Sequence, residues 1–214
     1  MLFRSEMQGE EIEKKLSSKG RFVWIKRFLN KEKAELIKSE KIAGINIKKE
    51  PKRIYPNGST GAHVLGFVNA DNQGIEGVEA SFNQELSGID GWIWTLKDGR
   101  VANAKIYTPD MPSEKPKHGS TIYLTIDIDL QYFAETELNR VVEELKALGG
   151  AVIILDTKTG EILAMASNPT YDPNDFGKYP PLSWRNKAIS DAYELGSVMK
   201  PFIIAAAITE NVVT

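Results

Sequence analysis

Cysteine is absent from this 214-residue chain, and histidine occurs only twice. The first absence excludes disulfides and thiolate-bound zinc, and two isolated histidines make a His-centred metal site unexpected. No cofactor is expected. No apolar run approaches the roughly 18 residues that a membrane-crossing helix needs. The opening "MLFRSEMQGEEIEKK" lacks the apolar stretch of a signal peptide. Neither sign of charge dominates, with 27 Lys+Arg against 29 Asp+Glu and a net charge of −2. A Cys-free chain suits either redox environment, so composition leaves the compartment open.

What charge there is lies unevenly. Residues 1–53 carry 15 Lys+Arg against 8 Asp+Glu, a net +7, and the rest carry 12 against 21, a net −9. A basic segment of this kind suits either an anionic membrane surface or a solvated Lys/Glu helix face. Nucleic-acid binding is not expected, because the cations are interleaved with Glu and the whole chain is acidic. With 42% hydrophobic and 26% charged residues, the chain has the composition of a folded protein large enough for one or two cores.

The first half reads as a patchwork. Residues 10–41 suggest two short helical stretches around "RFVWIKRFL", with Asn30 as N-cap of "KEKAELIKSE". Residues 44–68 read as extended pieces broken at Pro51, Pro56 and Gly58. "GVEASFNQELSG" reads as a short helix, and "GWIWTLKDGRVANAKIY" as a hairpin turning at Asp98-Gly99. Three prolines in "YTPDMPSEKPKHGS", residues 107–120, mark a linker. Two domains are therefore expected, 1–115 and 116–214.

After the linker the pattern sharpens. "STIYLTID" alternates as a half-buried strand should, and Asp127 or Asp129 can cap a helix beginning just after it. Leu130, Phe133, Ala134, Leu138, Val141, Val142, Leu145 and Leu148 recur at three- and four-residue spacing. That predicts an amphipathic helix of about five turns, ended by Gly149-Gly150. "AVIILD-TKTG-EILAMAS" reads as a hairpin with a Gly-containing turn. A helix packed on an antiparallel sheet, an α+β arrangement, is the expected fold class.

One constellation can carry chemistry, Ser197-x-x-Lys200. With 13 Ser and 20 Lys in the chain, chance alone predicts about one such pair, and one occurs. Context must decide. Gly196 precedes the serine, and Pro201 fits only the first turn of a helix. "FIIAAAI" continues as a helix of buried type. On one turn, Lys200 Nζ can approach Ser197 Oγ. A serine needs a base, and lysine serves as one only when burial or a helix N-terminus favours its neutral form. The residues alone leave nucleophile and structural turn both open. Two other strings imitate partners of such a serine: Lys158-Thr159-Gly160, and Ser81-Phe82-Asn83. The first falls in the hairpin turn and the second in a short helix, so both read as local structure.

Taken together these residues resemble the monofunctional, class B penicillin-binding proteins. "RIYPNGSTGAHVLGFV", "GIEGVEASFNQELSGIDG", "LTIDIDLQ", "LDTKTGEILAMASNPTYDPN" and "RNKAISDAYELGSVMKPF" are similar, in this order, to five of that family's motifs. "FVWIKR", Phe22–Arg27, looks more like the cell-division branch than the elongation branch.

The resemblance implies a D-alanyl-D-alanine transpeptidase with Ser197 as acyl acceptor and Lys200 as its base. Residues 1–115 would be a non-catalytic pedestal, and 116–214 the opening part of a penicillin-binding, serine β-lactamase-like transpeptidase domain. Implied partners are peptidoglycan stem peptides, β-lactams and membrane proteins of cell division and wall synthesis. The implied location is the extracytoplasmic face of the bacterial inner membrane, held by an anchor helix not in this chain. Leu195 departs from the family's usual proline and Lys187 from its usual arginine. No Ser-x-Asn and no Lys-Thr-Gly follow Lys200. A fragment, inactive by itself and prone to self-association at uncovered edges, is therefore expected. A non-catalytic interaction module is the alternative, and a soluble serine hydrolase or β-lactamase a more distant one.

Overall fold

The computed structural model describes residues 9–18, 20, 22–97, 105–106 and 111–212. They form two compact units, Met1–Arg53 and Ile54–Thr214.

In the first unit two short helices, α1 (Gly9–Leu16) and α2 (Lys31–Ser39), flank an irregular stretch. Asn30 caps α2 as its sequence position suggests, its side chain accepting from the Lys33 N–H at 2.9 Å. Arg27 holds Glu50 through Nε at 3.0 Å and Nη2 at 3.1 Å, and its guanidinium lies 5.1 Å from the centre of the Trp24 ring.

The second unit opens with three short helices, α3 (Ala62–Leu65), α4 (Gly77–Ser81) and α5 (Asn83–Leu86). The single helix expected over residues 77–88 is thus broken at Phe82, whose φ of −115° is not helical. Gly66 and Gly77 let α3 and α4 touch. Both have positive φ, and a Cβ on Gly66 would strike the Glu76 carbonyl. Two small antiparallel ladders come next: β1 (Trp92–Ile93) pairs with β4 (Ser113–Glu114), and β2 (Leu96–Lys97) with β3 (Lys105–Ile106). The expected hairpin therefore pairs at its stem, with Lys97 opposite Lys105, and its Asp98-Gly99 turn lies outside the described residues.

The framework of this unit is one long helix on a hairpin. Helix α6 (Ile128–Leu145) starts at Asp127, whose carboxylate accepts from the N–H groups of Asp129 and Leu130. It ends at Lys146, in left-handed conformation, and not at Gly149-Gly150; Leu148 lies outside the helix and is exposed. Strands β5 (Gly150–Leu155) and β6 (Ile162–Asn168) pair antiparallel, Ile153 opposite Met165. Ala164 and Ala166 of β6 pack against Ala134 and Leu138 of α6, since alternate residues of a strand share a face. The expected strand at residues 120–127 does not form. Two bonds reach β6 from it, Asp127 N–H to the Leu163 carbonyl and Thr125 Oγ1 to the Ile162 carbonyl.

A second core is aromatic. Tyr55, Ala62, Phe67 and Tyr171 are buried together, and Phe176, Tyr179 and Trp184 close over them. Phe67 stacks on Phe176 with ring centres 4.1 Å apart and meets Trp184 edge-on at 5.1 Å. Burying one such phenylalanine contributes about 1.5–3 kcal/mol. Beyond this core come 3₁₀ turns at Pro173–Lys178 and Pro181–Ser183, then α7 (Lys187–Ser190). A further 3₁₀ turn, Gly196–Met199, runs into α8 (Lys200–Thr209). The architecture is α+β, as the sequence pattern indicates.

Candidate active site

Ser197 lies in the 3₁₀ turn Gly196–Met199, and Lys200 is the first residue of α8. Gly196 takes φ of +54°, which opens the turn without a Cβ penalty. Pro201 occupies the first turn of α8, where its missing N–H costs nothing. The backbone N–H of Lys200 donates to the Ser197 carbonyl, so the two residues share one tight turn. The helix start is where the sequence puts it.

The burial expected around this pair is missing. Ser197 and Lys200 are both exposed, and no hydrogen bond joins Ser197 Oγ to Lys200 Nζ among the described residues. The reason is the helix behind them: Phe202 and Ile203 of α8 are 67% and 63% exposed, so its apolar surface is uncovered in this chain.

The imitating strings fall where local structure needs them. Lys158 and Thr159 sit in the β5–β6 turn, their N–H groups donating to Asp156 Oδ1 at 2.7 and 3.1 Å. Those two bonds hold the Asp156 carboxyl below its ordinary value. Asn83 Oδ1 accepts from the Gly74 N–H at 2.8 Å, which fixes the loop before α4. Among the described residues no cluster of three or more His, Cys, Asp or Glu could hold a metal.

A buried polar network that no sequence pattern announces joins α3, α6 and β6. Met165 of β6 donates its N–H to Gln131 Oε1 at 2.8 Å, and its carbonyl accepts from Gln131 Nε2 at 3.0 Å. The Gln131 amide thus makes the two-point contact that a neighbouring strand would make. Glu135 Oε1 accepts from Gln131 Nε2 at 2.7 Å and from the Gly61 N–H at 2.8 Å. Burial pushes the Glu135 carboxyl above its ordinary value, and these two bonds offset part of the rise.

His63 of α3 is buried, with Nε2 2.8 Å from the Ser183 carbonyl oxygen and its ring edge-on to Tyr171. Desolvation lowers the His63 pKa, the Ser183 bond works against that, and nearby Lys187 adds to it. A neutral imidazole that donates from Nε2 fits this pocket. Tyr171 donates to the Ala62 carbonyl at 3.0 Å, and burial raises its phenol well above the ordinary range. Asn186, capping α7, is also buried. Only an N-cap pattern before "KAIS" hints at its place in the sequence.

Known proteins resemble this chain along most of its length. A family model described as the penicillin-binding protein dimerisation domain matches residues 2–124, and one described as the penicillin-binding protein transpeptidase domain matches residues 150–214. The chain is 40% identical over 197 residues to peptidoglycan D,D-transpeptidase FtsI of Escherichia coli, covering 91% of this chain and 32% of that protein. It is 43% identical over 199 residues to the probable peptidoglycan D,D-transpeptidase PenA of Neisseria meningitidis, covering 92% and 34%. It superimposes on penicillin-binding protein 3 of Mycobacterium tuberculosis in complex with aztreonam with a TM-score of 0.62 and 33% identity, covering 75% of this chain and 32% of that one. The chain spans about a third of the length of the curated relatives it matches. With the helix-opening serine turn inside one matched region and the small-ladder half inside the other, the chain belongs to the penicillin-binding protein family, in its class B branch.

Proposed function

We propose that the whole protein is a D-alanyl-D-alanine transpeptidase of peptidoglycan synthesis, with Ser197 as nucleophile and Lys200 as its base. The observation that carries this reading is the Gly196–Met199 turn feeding α8, which sets the two residues on one turn inside the transpeptidase-matched region. Ser197 Oγ attacks the carbonyl of the penultimate D-alanine while its proton passes to Lys200 Nζ. The tetrahedral oxyanion is held by backbone N–H groups, that of Ser197 among them. Its collapse expels D-alanine, whose amine takes the proton, and leaves an ester on Ser197. An amine from a second stem peptide resolves the ester and frees the serine. β-Lactams, one of which is bound in the mycobacterial structure, would acylate the same oxygen.

In this reading residues 1–115 form the pedestal and residues 116–214 begin the transpeptidase domain. The pedestal serves partner binding among membrane proteins of division and wall synthesis, on the extracytoplasmic face of the inner membrane. Among the described residues no helix is long and apolar enough to cross a membrane. The exposed Ser197–Lys200 pair and uncovered α8 fit an inactive 214-residue chain that associates with itself. The test is release of D-alanine from a synthetic stem pentapeptide with an acceptor amine. The whole protein should release it, and neither its Ser197→Ala variant nor the 214-residue chain should. Release that survives Ser197→Ala overturns the assignment.

A further inference from the structure

Asn186 is the last buried residue before the serine. From Lys187 to Val212 every described side chain is half-buried or exposed. Helix α7 still packs against β5 and β6, but no buried residue follows Asn186 on the way to Ser197, so Asn186 is the last buried anchor of the segment that carries the serine.

That side chain makes more contacts than a helix cap requires. Its Oδ1 accepts from the Ala188 N–H at 3.1 Å, which is the cap, and from Ser167 Oγ at 3.2 Å. Its Nδ2 lies 3.1 Å from Met165 Sδ and, more loosely, 3.5 Å from the His63 carbonyl oxygen. One amide thus touches α7, β6 and α3. Serine or aspartate could cap α7 equally well, but neither can supply the NH₂ directed at Met165 and His63.

The short path onward is braced. The Asn186 carbonyl accepts from the Ser190 N–H at 3.0 Å and from Ser190 Oγ at 2.7 Å. Arg185 spans α7 to reach Asp191 Oδ1 at 2.6 Å, and Tyr193 donates its hydroxyl to the Lys187 carbonyl at 3.3 Å. The turn that carries Ser197 is closed locally, Val198 N–H donating to the Leu195 carbonyl at 3.1 Å.

We propose that Asn186 is a positioning residue for Ser197: by joining β6, α3 and α7 it fixes where the serine-bearing segment begins. The role rests on the reading of Ser197 as nucleophile. Misplacing a reacting group by about 1 Å costs roughly a hundredfold in rate. Loss of the node should therefore act on rate before it acts on folding.

The test uses Asn186→Ala and Asn186→Ser, the second keeping an oxygen to cap α7. In the whole protein, the second-order rate of acylation by benzylpenicillin should fall about ten- to a hundredfold in both variants. The end-point should stay at one adduct per folded chain, since a structural defect removes competent molecules without slowing the rest. In the 214-residue chain, the amides of Ala188, Ile189, Ser190 and Asp191 should exchange hydrogen faster than in the parent, while those of α6 are unchanged. A parental acylation rate in folded Asn186→Ser, or parental exchange at those amides in both variants, overturns the proposal. If the parent is acylated at a residue other than Ser197, the nucleophile reading fails and the positioning of Ser197 falls with it. Faster amide exchange would then mark Asn186 as a structural anchor alone.

Discussion

The backbone N–H of Lys200 donates to the carbonyl oxygen of Ser197, which fixes the two residues on one turn whatever their side chains do. Removing the lysine side chain should then remove proton transfer while leaving the backbone bond that closes the turn in place. Lys200→Met in the whole protein should lower the acylation rate by about 10²–10⁴-fold, the usual worth of a general base. Lys200→Arg should not rescue it, since a guanidinium stays protonated. Rates within threefold of the parent for either variant, measured by quenched-flow mass spectrometry, would remove Lys200 from the mechanism.

His63 should make the second unit sensitive to mild acid. Its pKa in the fold lies below the ordinary 6.5, so the unfolded chain takes up the proton first as pH falls. The stability tied to neutral His63 is present above about pH 6.5 and is lost as pH drops toward the lower folded value. Glu135 has the opposite sign: raised above 4.5 in the fold, its contribution is present below that value and fades as pH rises through the folded one. Thermal midpoints between about pH 7 and pH 5.5 should fall less steeply for His63→Gln, which keeps a donor for the Ser183 carbonyl. Parallel slopes would show that His63 does not govern this window.

Phe67, 1% exposed and stacked on Phe176, is the centre of the aromatic core. Phe67→Ala should destabilise the unit by about 3–5 kcal/mol in urea unfolding. A loss under about 1 kcal/mol would mean that residues 54–68 do not dock on residues 171–184.

Helix α8 presents Phe202, Ile203, Ile204 and Ile208 to solvent, a patch that favours association. Sedimentation velocity should find the 214-residue chain as dimers or larger species at high concentration. The double variant Phe202→Glu with Ile203→Lys should shift it toward monomer. A parent that stays monomeric throughout contradicts this.

Much of the framework is legible in the sequence because its signals are local. The apolar spacing and the Asp127 cap of α6, the Asn30 cap of α2 and the β5–β6 hairpin all arise from residues near each other in the chain. The α6 terminus departs from the expected glycine pair because Lys146, and not a glycine, takes the left-handed position. The alternation in "STIYLTID" fits a strand, yet β6 turns its Met165 backbone to Gln131 instead of to that segment. The aromatic core is illegible for another reason. Tyr55 and Phe67 meet Tyr171 and Phe176 from more than a hundred positions away, and no periodicity records such a pairing. At the candidate site, Gly196 and Pro201 make the helix start readable. Asn186 stays hidden because a cap pattern says nothing of Met165, Ser167 and His63 around it.

The most direct measurement is intact mass and peptide mapping of the whole protein after incubation with benzylpenicillin, beside its Ser197→Ala variant. The account predicts one penicilloyl group, on the peptide that contains Ser197, and none on the variant. An adduct that survives Ser197→Ala, or folded parent protein that gains no mass, would contradict it.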